Sequence, residues 1–317
     1  MTSKRMMAGA SLLTLGLALA ACGGKVDSTP TPTPTPTDTG TPTPTPTEPY
    51  LTIQEMFAKP SNKVFRSAGV SWTKTGTADP TGFDSYAFSS KLVVAYDESK
   101  DSYKVTPTGE TAVEFAIGSN TPGGDASFSK TTSNITDTLK IAVPKVNSVP
   151  LSYTLLFDFT RTDSTTGKTT FYQSVGGFLS QTGDMPRTGS ANYNMMVDGS
   201  ATRDGDSKTY LLGGLSTGTF SASFADGKIN TTLNLKGEAS GGATSDFGTA
   251  TGTGSFAVGG PAFTGTFTGA SSATGKFSGA FFGPAAAEVG YGWYFQGSNF
   301  DAHGVAAGAK DVPAPAP

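Results

Sequence analysis

Apolar and polar residues alternate in many short segments of the chain, which is the pattern of β-strands with one buried face. Over residues 151–161 this alternation places five apolar side chains on one face: Leu151, Tyr153, Leu155, Phe157 and Phe159. The polar stretch 163–168 then predicts a turn into a returning strand over 169–179. A further hairpin is predicted from strands near 91–96 and 102–106. No helical period persists over a dozen residues, so this half is predicted to be mainly sheet.

One short helix is predicted where the folded part begins, near residue 51. Thr52 and Glu55 have the spacing of a capping box, and Leu51 and Met56 have that of a hydrophobic staple. Pro60 ends any helix that starts there.

Eight strands are predicted after residue 185, near 191–197, 218–225, 228–236, 249–258, 262–268, 275–282, 290–296 and 303–309. Asp226-Gly227 predicts a two-residue hairpin turn, because both positions tolerate positive φ. A Phe-x-x-x-Phe pattern occurs at 220–224, 263–267 and 277–281, with small residues between the rings. Large and small side chains in alternation fill a narrow barrel, so the eight strands predict a closed barrel.

The outer face of this barrel is predicted to be polar. If the phenylalanines point inward, the residues that point outward include Thr219, Ser221, Ser223, Thr264, Thr266 and Ser278. A membrane barrel needs an apolar outer band with aromatic girdles. The predicted fold class is therefore mainly β, with an N-terminal β domain followed by a soluble eight-stranded antiparallel β-barrel.

The first residues have the order of a bacterial lipoprotein signal. Lys4 and Arg5 precede the apolar run 6–19, which is too short to span a bilayer, and Leu19-Ala20-Ala21-Cys22 forms a lipobox. The resemblance to bacterial lipoproteins implies that residues 1–21 are a signal peptide and that Cys22 carries fatty acyl chains such as palmitate. Such chains anchor a protein stably when two or more are present. The alternative is an ordinary secretory peptide with a chance cysteine.

Residues 22–50 are predicted to be the lipidated cysteine and a linker. Residues 29–49 are almost entirely Thr-Pro repeats, which favour polyproline II at about 3.1 Å per residue and a reach of roughly 60 Å. A tether that holds the folded body away from a membrane fits this position, and a ligand for an aromatic groove is the alternative. Residues 311–317 are predicted to be a disordered tail.

A longer motif lies in the barrel segment, with Phe-Ser-Gly-Ala-Phe-Phe-Gly-Pro-Ala-Ala-Ala-Glu-Val-Gly at 277–290 and Gly-Tyr-Gly-Trp-Tyr-Phe at 290–295. Together with segments 185–193 and 304–310, this motif resembles the barrel of the transferrin-binding protein B family of surface lipoproteins. The resemblance implies one lobe, with a handle domain at 51–184 and a barrel at 185–310. Tyr291 interrupts an expected glycine pair, and Ala306-Ala307 stands where an aromatic residue is expected.

Charge and cysteine content exclude several functions. The formal net charge is −3, and loss of Lys4 and Arg5 leaves 20 basic against 25 acidic side chains, or about −5. No basic stripe is present, so no nucleic-acid partner is expected. Cys22 is the only cysteine, which excludes disulfides, a thiolate metal site and a cysteine nucleophile.

No catalytic, cofactor or metal site is predicted, and the chain is not expected to be an enzyme. His303 is the only histidine, and it is interpreted as structural, since a Ser-His-Asp triad would depend on it alone. The acidic pairs at 97–98 and at 204 and 206 read as solvated turns, with calcium binding as the alternative at 204–206. The glycine pairs 213–214 and 241–242 lack the strand-to-helix context of a phosphate loop.

These features together predict a binding protein at the outer membrane or cell surface. The family resemblance implies a receptor for an iron or haem carrier, or for another nutrient ligand, that passes cargo to a TonB-dependent transporter. The alternatives are a structural or adhesive envelope lipoprotein without cargo, and a hydrolase. Ligand contacts are expected at the connections 120–134 and 239–246, because filled barrels leave their loops as the exposed and variable surface.

Overall fold

The computed structural model describes residues 49–59, 61–118, 125–206, 208–269 and 272–311. These residues all lie in one compact unit that runs from residue 45 to residue 317. Antiparallel strands dominate it, in two nine-stranded sheets and a small two-stranded hairpin. In this part of the chain no helix is long and apolar enough to cross a membrane.

The first sheet belongs to what we call the handle domain, which also contains the helix α1 (Ile53–Ala58). Its strand order is β5-β4-β3-β1-β11-β10-β7-β6, with β2 paired to β1, while β8 and β9 form the small hairpin. The strands are β1 (Lys63–Thr75), β2 (Thr81–Tyr86), β3 (Leu92–Asp97), β4 (Ser102–Pro107), β5 (Val113–Ala116), β6 (Ala126–Thr132), β7 (Ile135–Ala142), β8 (Lys145–Val146), β9 (Val149–Pro150), β10 (Thr154–Asp163) and β11 (Lys168–Gly177).

The predicted short helix and its capping box are confirmed. The Thr52 hydroxyl accepts a hydrogen bond from Glu55 N–H at 3.1 Å, and the Glu55 carboxylate accepts one from Thr52 N–H at 2.8 Å. This reciprocal capping satisfies helix donors that otherwise have no partner. Met56 is buried in the handle core and Leu51 packs against the same core.

The second sheet is the barrel. The order β12-β14-β15-β16-β17-β18-β19-β20 is closed by pairing of β20 with β12, and the short β13 adds to β12 and β15. The eight predicted strands and the predicted fold class are therefore confirmed. The strands are β12 (Ser190–Arg203), β13 (Thr209–Leu211), β14 (Thr217–Ser223), β15 (Lys228–Ala239), β16 (Thr244–Phe256), β17 (Ala262–Gly269), β18 (Thr274–Phe282), β19 (Glu288–Gln296) and β20 (Phe300–Lys310).

Aromatic rings fill the barrel interior, as the Phe-x-x-x-Phe pattern predicts. All six phenylalanines of the three repeats are at most 3% exposed. The Phe281 ring lies 5.2 Å from the Phe256 ring and 5.3 Å from the Phe263 ring, in the edge and tilted arrangements that aromatic pairs prefer. Glycines on the strands between them leave room: a Cβ on Gly265 would overlap the Phe277 ring. The phenylalanines are thus core residues.

Two local predictions for the barrel are wrong. The predicted two-residue turn at Asp226-Gly227 is instead a four-residue loop, closed by the pair Ser223 and Lys228. Gly227 has positive φ and Asp226 does not. Phe224 N–H donates to Gly189 O at 2.9 Å, on the β12 side, whereas the pairing of β14 with β15 ends at Ser223. Ser278 is buried rather than solvent-facing, because its hydroxyl bonds to that of Ser85 in the handle domain at 2.9 Å.

The predicted handle hairpins β3–β4 and β10–β11 are present. The predicted face of five apolar residues is right for Leu155, Phe157 and Phe159, which share the handle core. It is wrong for Leu151 and Tyr153, because β10 begins at Thr154 and these two residues pack in other clusters. The prediction of a long connection over 120–134 is wrong, since residues 126–132 form β6 and pair with β7 along their whole length. Polar Ser, Lys and Thr residues hid this strand, because it is an edge strand whose side chains are mostly exposed.

Candidate ligand-binding surface

The handle domain packs directly on the outside of the barrel. Val70 and Trp72 of β1 form an apolar cluster with Tyr294 of β19, and Phe83 and Phe171 pack against it. A second cluster joins Leu156 and Val175 of the handle to a set of barrel residues that consists of Ala280, Phe282 and Val305. This contact fixes the two domains relative to one another and removes that face of the barrel from solvent.

A carboxylate also joins the two domains. Glu288, at the start of β19, accepts hydrogen bonds from Ser152 N–H at 2.5 Å, from Tyr153 N–H at 3.0 Å and from the Thr154 hydroxyl at 2.8 Å. Burial raises the pKa of Glu288, while the three donors act in the opposite direction. The glutamate of the barrel motif is therefore an interdomain contact and not an exposed acid.

His303 lies in the same interface, buried at 5% exposure. Its ring centroid is 3.8 Å from that of Trp72, and its Nε2 is 3.0 Å from the Ser200 hydroxyl. Burial lowers the pKa of His303 to about 3, so the ring is neutral at physiological pH. A side chain packed in this way supports the domain contact and is not open to a substrate.

The other sequence-predicted residues lie as follows. Cys22, the predicted lipidation site, falls outside the described residues. Asp97 accepts hydrogen bonds from Ser99, and Asp206 accepts them from Lys208 N–H and the Tyr210 hydroxyl, so both acids stabilise turns. Among the described residues, no three His, Cys, Asp or Glu side chains form a metal-binding group.

One end of the barrel presents two apolar side chains to solvent. Leu211, the last residue of β13, is 65% exposed, and Leu215 in the following loop is 38% exposed. The loop is held in place: Ser216 N–H donates to Leu212 O at 3.1 Å, and the Ser216 hydroxyl donates to Lys236 O at 3.0 Å. An ordered loop that carries exposed apolar side chains loses little conformational entropy when a partner binds to it. We call this surface the barrel rim (residues 209–216 and 239–246).

The second part of the rim is the predicted connection 239–246, which is the tip of the β15–β16 hairpin. Arg203 fastens it, because its guanidinium donates to the Ser245 hydroxyl at 2.8 Å and to Asp246 O at 2.6 Å. The same guanidinium lies 4.7 Å from the Phe247 ring centroid. The hairpin tip is therefore held against the end of β12, next to β13.

A second exposed apolar site is on the handle. Val149, in the β8–β9 hairpin, is 66% exposed. Beside this hairpin is a groove of about 580 Å³, with walls that include Ile53 and Phe57 of α1, Pro150 of β9 and the next residue, Leu151. The sequence predictions did not include Val149, Leu211 or Leu215. The run Tyr210-Leu211-Leu212 is a signal that could have revealed the rim, since three successive large residues cannot all face one core.

Comparison with known proteins gives one group of similar structures. No protein-family model and no curated protein matches the chain. Transferrin binding protein B from Haemophilus parasuis Hp5 is 14% identical with a TM-score of 0.43, over 73% of this chain and 48% of that one. The isotype 1 transferrin binding protein B from serogroup B Neisseria meningitidis is 16% identical with a TM-score of 0.44, over 78% of this chain and 44% of that one.

HpuA from Kingella denitrificans, solved in complex with human haemoglobin, is 13% identical with a TM-score of 0.37, over 80% of this chain and 88% of that chain. This chain spans less than half the length of the two transferrin binding protein B chains. The similar structures thus include the family that the barrel motif resembles.

Proposed function

We propose that this protein is a lipid-anchored receptor on the bacterial outer membrane, which captures a protein ligand at the barrel rim. The observation that carries the proposal is the contrast between a barrel interior filled with phenylalanine and a rim on which Leu211, the last residue of β13, is 65% exposed next to an ordered loop. A filled barrel has no internal space for a small cargo, so binding falls to its surface.

The anchor and the ligand class come from the sequence. Cys22 carries the lipid after removal of residues 1–21, and the Thr-Pro segment extends the folded body from the membrane. The resemblance to the transferrin-binding protein B family points to an iron or haem carrier, with a TonB-dependent transporter as the membrane partner that receives the cargo. Binding rather than catalysis is proposed, since the single histidine is buried between the domains.

A direct binding experiment tests the receptor role. Transferrin, lactoferrin and haemoglobin are immobilised as probes, and the detergent-solubilised protein is passed over them. We expect one probe to bind, and we expect Leu211→Asp to weaken that binding by about tenfold or more. The substitution places a charge where the bound ligand would bury the apolar Leu211 side chain. Val258→Asp is the matched control, because Val258 is 44% exposed on a different hairpin of the barrel. Equal effects of the two substitutions would remove the rim from the proposal.

Surface protease on intact cells distinguishes the receptor from its alternative. We expect the protease to cleave the protein and to abolish cargo binding. Protection of the protein in intact cells, together with failure of all three probes, would instead favour a structural or adhesive envelope lipoprotein without cargo.

A further inference from the structure

Two strand edges of the handle sheet line a common groove. Within the part of the chain that the structure describes, β5 pairs only with β4 and β6 pairs only with β7, so each of the two strands has one side without a described partner strand. The groove has a volume of about 520 Å³, and its walls include Glu114, Phe115 and Ala116 of β5 and Ser127, Phe128, Ser129 and Lys130 of β6. The sheet therefore curves until its two ends face each other without pairing.

The β5 wall presents backbone groups to the groove. Ile117 N–H donates to Asp101 O at 2.9 Å, so the backbone of Ile117 faces the β4 side. Successive residues of an antiparallel strand direct their backbone groups to opposite sides. The N–H and C=O groups of Glu114 and Ala116 therefore face away from β4, towards the groove.

The β6 wall also presents backbone groups to the groove, over a greater length than β5. Ser164 N–H donates to Asn134 O, so the backbone groups of Asn134 face the β10 side. The backbone groups of the next residue, Ile135, therefore face β6, where its partner is Thr132. By the same alternation, the residues of β6 whose backbone groups face the groove are Ser127, Ser129 and Thr131. β6 contains no proline, and its register with β7 is continuous from 126 to 132. Proline, bulges and lysine side chains are devices that close an edge to pairing, and of these β6 carries one, Lys130.

A lysine occupies part of the space where a strand would lie. Lys130 on β6 reaches across, and its Nζ donates to Glu114 O of β5 at 3.1 Å. The floor beneath is fixed, because the rings of Phe115 and Phe128 lie 6.1 Å apart and both are buried. A groove with a rigid floor loses little entropy when a ligand binds.

We propose that this groove binds an extended acidic peptide segment of a partner protein, which adds as a strand to the β6 edge. Unpaired backbone groups on a continuous edge are the recognition chemistry for an extended backbone. The preference for acidic residues follows from Lys130, whose Nζ contacts a neutral carbonyl and no carboxylate among the described residues, whereas Lys100 is 3.4 Å from Glu114. This inference is independent of the cargo role and of the barrel rim.

A fluorescein-labelled, blocked heptapeptide of alternating valine and glutamate is the probe, used with the detergent-solubilised full protein. We expect saturable binding and slower amide hydrogen exchange at Ser127, Ser129 and Thr131. A peptide N-methylated at alternate residues, whose backbone cannot donate to β6, should bind about tenfold more weakly. A valine and lysine peptide should also bind more weakly, because its charges oppose Lys130.

Two variants of one residue test the edge itself. Ser129→Pro removes an N–H that faces the groove and leaves the β6–β7 hydrogen bonds in place, so we expect about tenfold weaker binding. Ser129→Ala retains that N–H and should bind as the unaltered protein does. Equal binding by the two variants, with unchanged thermal unfolding, would overturn the proposal. A dimer of the unaltered protein that Ser129→Pro dissociates and Ser129→Ala does not would also overturn the proposal. A second copy of this chain would then occupy the β6 edge.

Discussion

Gly69 of the handle and Gly292 of the barrel lie in direct backbone contact, where β1 crosses the outer face of β19. A Cβ on Gly292 would overlap Gly69 Cα and come within 2.7 Å of Val70 N. Glycine is needed here for the close approach of two backbones, and this approach lets the apolar residues on either side of it meet.

Gly292→Ala is therefore expected to lower the free energy of unfolding by about 2 kcal/mol or more, because neither backbone can yield without parting the domains. Gly183→Ala is the control, since a Cβ at Gly183 has no neighbour within 4 Å. Chemical denaturation at constant pH measures both. A Gly292→Ala variant as stable as the control would show that the domains are not packed as described.

Glu288→Ala tests the carboxylate that joins the two domains. The substitution leaves the N–H groups of Ser152 and Tyr153 and the Thr154 hydroxyl without their acceptor. Buried donors without partners cost about 1–3 kcal/mol, so we expect a loss of about 3 kcal/mol in unfolding free energy. Glu238→Ala, at an exposed position of β15, should change it by less than about 0.5 kcal/mol. Urea unfolding followed by tryptophan fluorescence provides the comparison, and a loss no larger than that of Glu238→Ala would contradict the assigned role.

The barrel was predictable from sequence because its core obeys a local rule. Phe220, Phe263 and Phe277 each begin a repeat in which alternate residues are large and small, and period two alone assigns them to the interior. The same rule fails where a second domain covers the outer face. Ser278 is polar and alternates correctly, yet it is buried against Ser85.

The two proposed binding surfaces, the barrel rim and the groove between β5 and β6, were less accessible to sequence reasoning. Leu211 belongs to a three-residue strand, which is too short for any periodicity to register. The sequence of β6 resembles a polar connection, because most of its side chains are exposed. The sheet curvature that brings β6 opposite β5 depends on strands distant in sequence. The capping box at Thr52 and the handle hairpins β3–β4 and β10–β11, whose signals lie within a few residues, were predicted with their partners.

Asp158 makes the stability of the protein depend on pH. Burial raises its pKa from the ordinary value of 3.8 to about 6, and the charge of Asp198 acts in the same direction, against the opposing effects of Lys140 and Gln173. A carboxyl group whose pKa is raised on folding contributes stability that is fully present below pH 4 and is lost as the pH rises through about 6.

Asp158→Asn removes this dependence. We expect the variant to be more stable than the unaltered protein at pH 7.5, by at most about 3 kcal/mol, and the difference to disappear as the pH approaches 4. The exposed Asp125→Asn serves as the control. Thermal melts at half-unit pH intervals give the comparison, and a constant difference between the Asp158 variant and the parent across this range would refute the prediction.

Phe281→Ala is expected to cost about 3–5 kcal/mol of unfolding free energy, because it leaves a cavity among packed rings. Phe281 is fully buried, and its nearest ring neighbours are those of Phe224, Phe256 and Phe263. Val64→Ala, at a side chain 63% exposed, should be close to neutral. A neutral result for Phe281→Ala in guanidinium unfolding would place its ring on the outside of the barrel.

Cys22→Ala is expected to abolish lipid attachment, since the chain contains no other cysteine that could carry a thioether. Without acyl chains the protein has no hydrophobic anchor, and it should either remain unprocessed or leave the membrane fraction. Labelling of growing cells with radioactive palmitate, followed by immunoprecipitation, measures the modification directly. Ser28→Ala is the control, because it changes a nearby polar residue and preserves the lipobox. Normal palmitate incorporation by Cys22→Ala would show that the Leu-Ala-Ala-Cys sequence is an ordinary export signal with a chance cysteine, and the proposal of a lipid-anchored receptor would then fail.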